Sequence, residues 1–132
     1  LISPNQKFIL YSETEDKTFK TYLLNIETAK TTVLGVRTLA DKCSWSPDSQ
    51  RIYCGVPESI PSGLYPNQWY SGKISFNDYV VGINTNIPAQ LETFIRLHEK
   101  IDISKIEISI NNEQLILKNK KDSSIWVIEL IS

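Results

Sequence analysis

The chain has 132 residues, 41% of them apolar and 22% charged, with 14 basic against 15 acidic side chains and a net charge of -1. That is the size and composition of one globular domain, with no basic stripe for nucleic acid and no acidic tail. Its uninterrupted apolar runs are far shorter than the roughly 20 residues needed to cross a bilayer, so no membrane insertion by this segment is expected.

The opening, Leu1-Ile2-Ser3-Pro4, has neither the basic start nor the apolar stretch of a signal peptide. The sequence contains no methionine, and it reads as a piece of a longer chain. Leu1-Ile2 is the end of a strand. From Ser3 onward a repeat sets the organisation. Ser3-Pro-Asn-Gln-Lys-Phe-Ile-Leu-Tyr11, Ser46-Pro-Asp-Ser-Gln-Arg-Ile-Tyr-Cys54 and Ser109-Ile-Asn-Asn-Glu-Gln-Leu-Ile-Leu117 align without gaps. Each opens on serine, places Asn or Asp two residues on, and enters a run rich in strand-forming side chains. A second block follows each: Tyr22 to Ile26, Tyr79 to Ile83 and Trp126 to Leu130. Polar links at 13–17 and 118–123 join consecutive strands, so each repeat is an antiparallel meander of about four strands. Leu91 to Lys100 comes nearest to a helical period; it reads as a strand followed by a loop, opening a new unit.

In the second repeat a two-residue loop at Asp48-Ser49 sets Pro47 opposite Gln50, Ser46 opposite Arg51, Trp45 opposite Ile52 and Cys43 opposite Cys54. Opposed Cβ atoms lie about 4.5–5.5 Å apart in such a pair, within small adjustment of disulfide distance. These are the only two cysteines, and the register predicts a Cys43–Cys54 disulfide. The alternative is two reduced thiols on a core face. Two thiols and one distant histidine, His98, make no zinc set, and no metal or cofactor is expected.

Ser44-Trp45-Ser46-Pro47-Asp48 followed by Arg51-Ile52-Tyr53 resembles the repeat of TolB-type, WD-repeat-like β-propellers and of the propellers that precede prolyl oligopeptidase catalytic domains. The resemblance implies an all-β segment of a propeller with about three four-stranded antiparallel blades: 1–36 with its first strand mostly missing, 37–95, and 96–132 without its outer strand. That family favours Gly where this chain has Ser49, which points to a turn without positive φ. Such a set leaves open edges and faces, to be completed by further blades or by self-association. The middle repeat and residues 119–126 are also similar to membrane-tethered, extracytoplasmic propeller proteins of low-GC and candidate-phylum bacteria. By that likeness the chain is extracytoplasmic, tethered through a segment ahead of it.

Residues that carry chemistry are sparse. There is no Gly-x-Ser-x-Gly elbow and no phosphate-cradling glycine pattern. His98, beside Glu99 and within reach of Glu92, reads as solvated. Glu13, Glu15 and Asp16 read as a hairpin tip, Asp102 and Asp122 as ordinary surface acids, and Lys118, Lys120 and Lys121 as a solubilising run. No catalytic residue is assigned. The exception to this plainness is 57–73. The step from serine to aromatic is 33 residues in the second repeat against 19 and 17 in the others. The insertion holds three of the six prolines with Tyr65, Trp69 and Tyr70. Long loops of this kind are usually functional. Either it folds down as a cap, or Tyr65, Trp69 and Tyr70 form an exposed platform for a protein, peptide or glycan. The functional expectation is a non-catalytic interaction module. The alternatives are a propeller gating substrate in a larger hydrolase and a subunit that completes a ring with its own copies.

Overall fold

The three serine-led segments fold into one and the same turn. In each, the fourth residue donates its N–H to the serine carbonyl: Gln6 to Ser3 at 2.9 Å, Ser49 to Ser46 at 3.0 Å, and Asn112 to Ser109 at 2.9 Å. The serine hydroxyl donates to the Asx side chain two residues on, at 2.7 Å (Asn5), 2.6 Å (Asp48) and 2.6 Å (Asn111). It also accepts from the N–H that opens the following strand, that of Phe8, Arg51 or Gln114. Local side-chain bonds of this type replace ladder bonds where the chain reverses. All three fourth residues have positive φ: 62° at Gln6, 63° at Ser49 and 61° at Asn112. The expectation that Ser49 would avoid that region is therefore wrong, and so is the two-residue loop. Ser46 N–H meets Arg51 carbonyl, which makes Pro47 to Gln50 the reversal. The reason a serine sits at this strained position is tertiary: its hydroxyl accepts from Asn5 N–H of the neighbouring turn at 3.0 Å, a bond glycine cannot make.

In the computed structural model, which describes residues 1–88 and 90–130, these turns connect three antiparallel sheets. The first contains β1 (Phe8–Glu15), β2 (Thr18–Asn25) and β3 (Lys30–Val33), with a single bridge from Ile2 to Ile9 marking the strand expected ahead of it. The middle sheet orders β4 (Cys43–Trp45), β5 (Arg51–Pro57), β6 (Asp78–Asn84) and β7 (Leu91–Ile95). The third orders β8 (Ile103–Ile108), β9 (Gln114–Asn119) and β10 (Ile125–Glu129). Residues 91–95 pair with β6, so they close the middle sheet rather than open a new unit. The register Cys43–Cys54 and Trp45–Ile52 is as expected, and the two sulfurs form a disulfide.

Burial follows position in the stack. β2 alternates, with Phe19, Thr21 and Leu23 buried, as a strand covered on one face should. β5 is buried at six successive positions from Ile52 to Pro57, because the middle sheet is covered on both faces. On one face Cys43, Trp45, Ile52, Cys54 and Val81 meet Leu10, Leu23 and Leu34 of the first unit. On the other, Tyr53 and Val80 meet Ile103, Ile106, Leu115 and Leu117. Each such side chain removed from water stabilises by about 1.5–3 kcal/mol. Gly55 lies at this second contact, where an added Cβ would stand 2.7 Å from Ile103 Cδ1. Only glycine lets the sheets approach that closely.

The repeat also fixes which faces lack a neighbour. Leu10 and Leu23 pack on the middle sheet, and their equivalents Tyr53 and Val80 pack on the third. The next equivalents, Ile116 and Val127, are exposed. In the opposite sense Ile52 and Cys54 face the first sheet, while Leu115 and Leu117 face the middle one. Their equivalents Ile9 and Tyr11 are half-buried on the outer face of the first sheet, where Tyr11 stacks on Tyr22 with ring centroids 5.3 Å apart.

Candidate functional site

The insertion folds down over one end of the sheets. Its base is closed by Glu58 N–H donating to Asn77 carbonyl at 2.9 Å. Its middle is one helical turn, α1 (Asn67–Tyr70), ended by Gly72 at φ 83°, the left-handed residue that commonly stops a helix. Gly63 N–H reaches Lys17 carbonyl in the β1–β2 turn at 3.1 Å. The insertion therefore spans from the first sheet towards the third.

Its Tyr65 and Trp69 pack with Phe19, Leu39 and Phe76 in one hydrophobic cluster. Phe19 meets Tyr65 edge-on at 4.9 Å, and Trp69 stacks on Phe76 at 6.3 Å. Trp69 is 2% exposed, Tyr65 7% and Tyr70 53%. Two of the three side chains expected on a platform are thus inside the protein. The reason is that the sheet ends alone leave Phe19 and Leu39 without cover, and the insertion supplies the apolar area that covers them. Tyr65 hydroxyl donates to Pro61 carbonyl. Tyr70 is the surface member, its hydroxyl donating to Asp41 Oδ2 at 2.8 Å; burial and the Asp41 carboxylate hold its phenol above the ordinary range. Leu64, six positions earlier in the insertion, is also exposed.

Under the cap is a buried charge cluster with no sequence forewarning. Lys42 belongs to the 3₁₀ turn Ala40–Lys42, and it is 0% exposed, as is Asp102; Asp78 is 4% exposed. Lys42 Nζ donates to Asp78 Oδ2, Asp102 Oδ1 and Ile103 carbonyl, each at 2.7 Å. All three ammonium protons are thereby used. The ammonium also stands 4.8 Å from the Trp69 ring centroid and 5.3 Å from that of Phe76. An isolated buried ammonium costs several kcal/mol, and a full acceptor set is what offsets it. Asp102, read from sequence as ordinary, is the hub. Trp69 Nε1 donates to both its oxygens, at 3.1 and 3.0 Å, and Phe76 N–H to Oδ2 at 3.1 Å. Asp102 N–H donates to Asn119 Oδ1 at 3.1 Å. Asp78 is less complete: Oδ2 accepts from Lys42 and from Ile103 N–H at 2.7 Å, while Oδ1 is buried without a partner.

The remaining candidates are separate from this place. His98 and Glu99 are exposed in the loop after β7. Glu92 pairs with Arg51, Oε2 to Nε at 2.9 Å. Glu15 meets Lys20 at 3.5 Å on the exposed β1–β2 hairpin. Asp122 accepts from Ser124 N–H and hydroxyl, which holds its carboxyl below the usual range. The lysine run is more than a solvated tip. Lys120 Nζ lies 5.3 Å from the Trp69 centroid, and Lys121 Nζ donates to Asn77 Oδ1. These two lysines, with Gly72, Ser75 and Asp102, line an open recess of about 290 Å³. Among the described residues no helix is long and apolar enough to cross a membrane, and no three His, Cys, Asp or Glu side chains are grouped to hold a metal.

No protein-family model matches the chain, and no curated protein matches it. The solved structures do. The chain is similar to a protein assigned as TolB from Agrobacterium tumefaciens, with a TM-score of 0.54 and 13% identity over 96% of this chain and 46% of that one. The fold is a segment of a TolB-like β-propeller. TolB from Acinetobacter baumannii aligns over 99% of this chain and 43% of its own, at 14% identity and a TM-score of 0.37. The chain thus spans about half the length of the solved relatives it matches. In propeller terms the cap covers the end where β1 meets β2, β5 meets β6 and β9 meets β10. The serine turns lie at the opposite end. The buried cluster ties the middle and third blades to the cap.

Proposed function

We propose that this chain is a non-catalytic, extracytoplasmic propeller module for binding a protein, peptide or glycan. The observation that carries the reading is the cap. Its packed aromatics, Tyr65 and Trp69, seat the loop on the sheet ends and leave Tyr70 and Leu64 on the surface. A preordered loop presenting an aromatic and an aliphatic side chain loses little entropy on binding. The recognition surface of this reading is therefore Tyr70 with Leu64, and Tyr65 and Trp69 support it from below. The Cys43–Cys54 disulfide supports an oxidising compartment. Tethering to a membrane through a preceding segment rests on the sequence resemblance, as does the alternative of a propeller serving a hydrolase domain. A photo-crosslinking side chain at position 70, presented to cell-envelope extract, should give discrete adducts that the same side chain at exposed Thr31 on β3 does not. Equal adducts from both positions, or none from position 70, would remove this reading.

A second reading has its own observation. The exposed Ile116 and Val127 of the third sheet and the outer Ile9 and Tyr11 of the first occupy the positions that join the sheets elsewhere in the chain. They are blade-to-blade faces, to be covered by further blades or by a second copy. Light scattering on the 132-residue chain should show association, and a monomer over a wide concentration range would remove this reading.

A further inference from the structure

The cluster of Lys42, Asp78 and Asp102 places one cation against two carboxylates where water does not reach. Its parts come from three places: the 3₁₀ turn before β4, the first residue of β6, and the residue before β8. The cap joins them through Trp69 Nε1 and Phe76 N–H on Asp102. With both carboxylates ionised, the buried set carries one excess negative charge. Asp102 spreads its charge over donors on both oxygens. Asp78 does not, since its Oδ1 faces no donor. A proton on that oxygen breaks no existing bond, because Lys42 and Ile103 N–H both bind Oδ2.

We propose that Asp78 is a proton-operated latch: protonated on Oδ1 it leaves a neutral cluster that clamps the cap to the middle and third blades, and deprotonated it loosens that clamp so that the cap opens more readily.

The charged groups facing Asp78 are Lys42 from the 3₁₀ turn and Asp102 from the segment before β8. From β5 it meets Gly55, which carries no charge. From the β9–β10 loop Lys120 reaches the Trp69 ring. Burial pushes the Asp78 carboxyl up to about 6 from an ordinary 3.8, and Asp102 adds to the rise, against the pull of Lys42. A folded-state value above the unfolded one means that folding favours the protonated form. Its stabilising contribution is complete below pH about 4 and is lost as pH rises through about 6. The open recess beside Asp102 brings solvent to the edge of the cluster. Opening would uncover the apolar surface of Trp69, Phe76 and Phe19 at neutral pH and keep it covered under acid conditions.

The test is hydrogen exchange of amides in 58–77 at pH 5 and 7.5, corrected for intrinsic rates, on the wild-type chain, Asp78→Asn and His98→Gln. The opening equilibrium in the wild type should be about tenfold larger at pH 7.5. Asp78→Asn should abolish that difference and His98→Gln should keep it. Infrared spectra with isotope-labelled aspartate supply a readout that does not depend on the variant's folding. A protonated carboxyl should be present at pH 5 and gone at pH 7.5. Equal opening at both pH values in the wild type, a pH dependence that survives Asp78→Asn, or no protonated aspartate at pH 5 would each overturn the proposal.

Discussion

Replacing Trp69 by alanine separates a structural cap from an exposed platform without any ligand. The indole is 2% exposed and stacks on Phe76 at 6.3 Å. Its N–H is shared between the two Asp102 oxygens at 3.1 and 3.0 Å. Truncating a buried tryptophan costs about 3–5 kcal/mol in lost transfer energy and cavity. Losing a donor to a carboxylate adds about 1.5–3 kcal/mol, not fully additively. About 4–5 kcal/mol is the expected total, a large part of the 5–15 kcal/mol typical of a domain. For a chain of this size that corresponds to a fall of roughly 12–20 °C in Tm. Trp69→Phe removes the donor but keeps most of the apolar volume, so it should cost less, about 2–3 kcal/mol. Thermal and urea melts followed by circular dichroism at pH 5 and 7.5 measure both. A Trp69→Ala chain that melts within about 2 °C of the wild type would refute the packing argument and return Trp69 to the surface.

Non-reduced peptide mapping should recover residues 43 and 54 in one cross-linked species, and reduction should cost about 2–3 kcal/mol for a closure of 11 residues; free thiols in exported material would contradict it. Lys42→Met leaves two carboxylates buried without their cation and should cost about 3–5 kcal/mol in a urea melt at pH 7.5. The loss should shrink as pH falls towards 6, because without the pull of Lys42 the Asp78 carboxyl takes up its proton at a higher pH than in the wild type. Gly55→Ala drives a methyl to 2.7 Å from Ile103 Cδ1 and 2.8 Å from Ile103 Cβ, and about 1–3 kcal/mol of destabilisation is expected from overpacking. Because Ile103 Cβ cannot swing aside, a neutral Gly55→Ala would mean that the middle and third sheets are set further apart than described.

What the sequence determined by itself was local and periodic. The three turns that open on serine with Asn or Asp two residues on, and the strand-forming runs behind them, marked the strands, and the pair sum around Asp48-Ser49 placed Cys43 opposite Cys54. Those features depend on residues within about a dozen positions of one another, where turn chemistry and strand period act directly. The sequence also marked the insertion at 57–73, by its length and its aromatics. It did not decide whether Trp69 faces water, because that depends on Phe19 and Leu39, which are brought near by other sheets. Ser49 shows the same division: its left-handed backbone looks wrong until Asn5, 44 residues away, is seen to use its hydroxyl. Lys42, Asp78 and Asp102 are single charges at the edges of apolar runs, indistinguishable in sequence from solvated ones. Only packing three blades and a cap around them removes the water, and without water three ordinary side chains must satisfy one another.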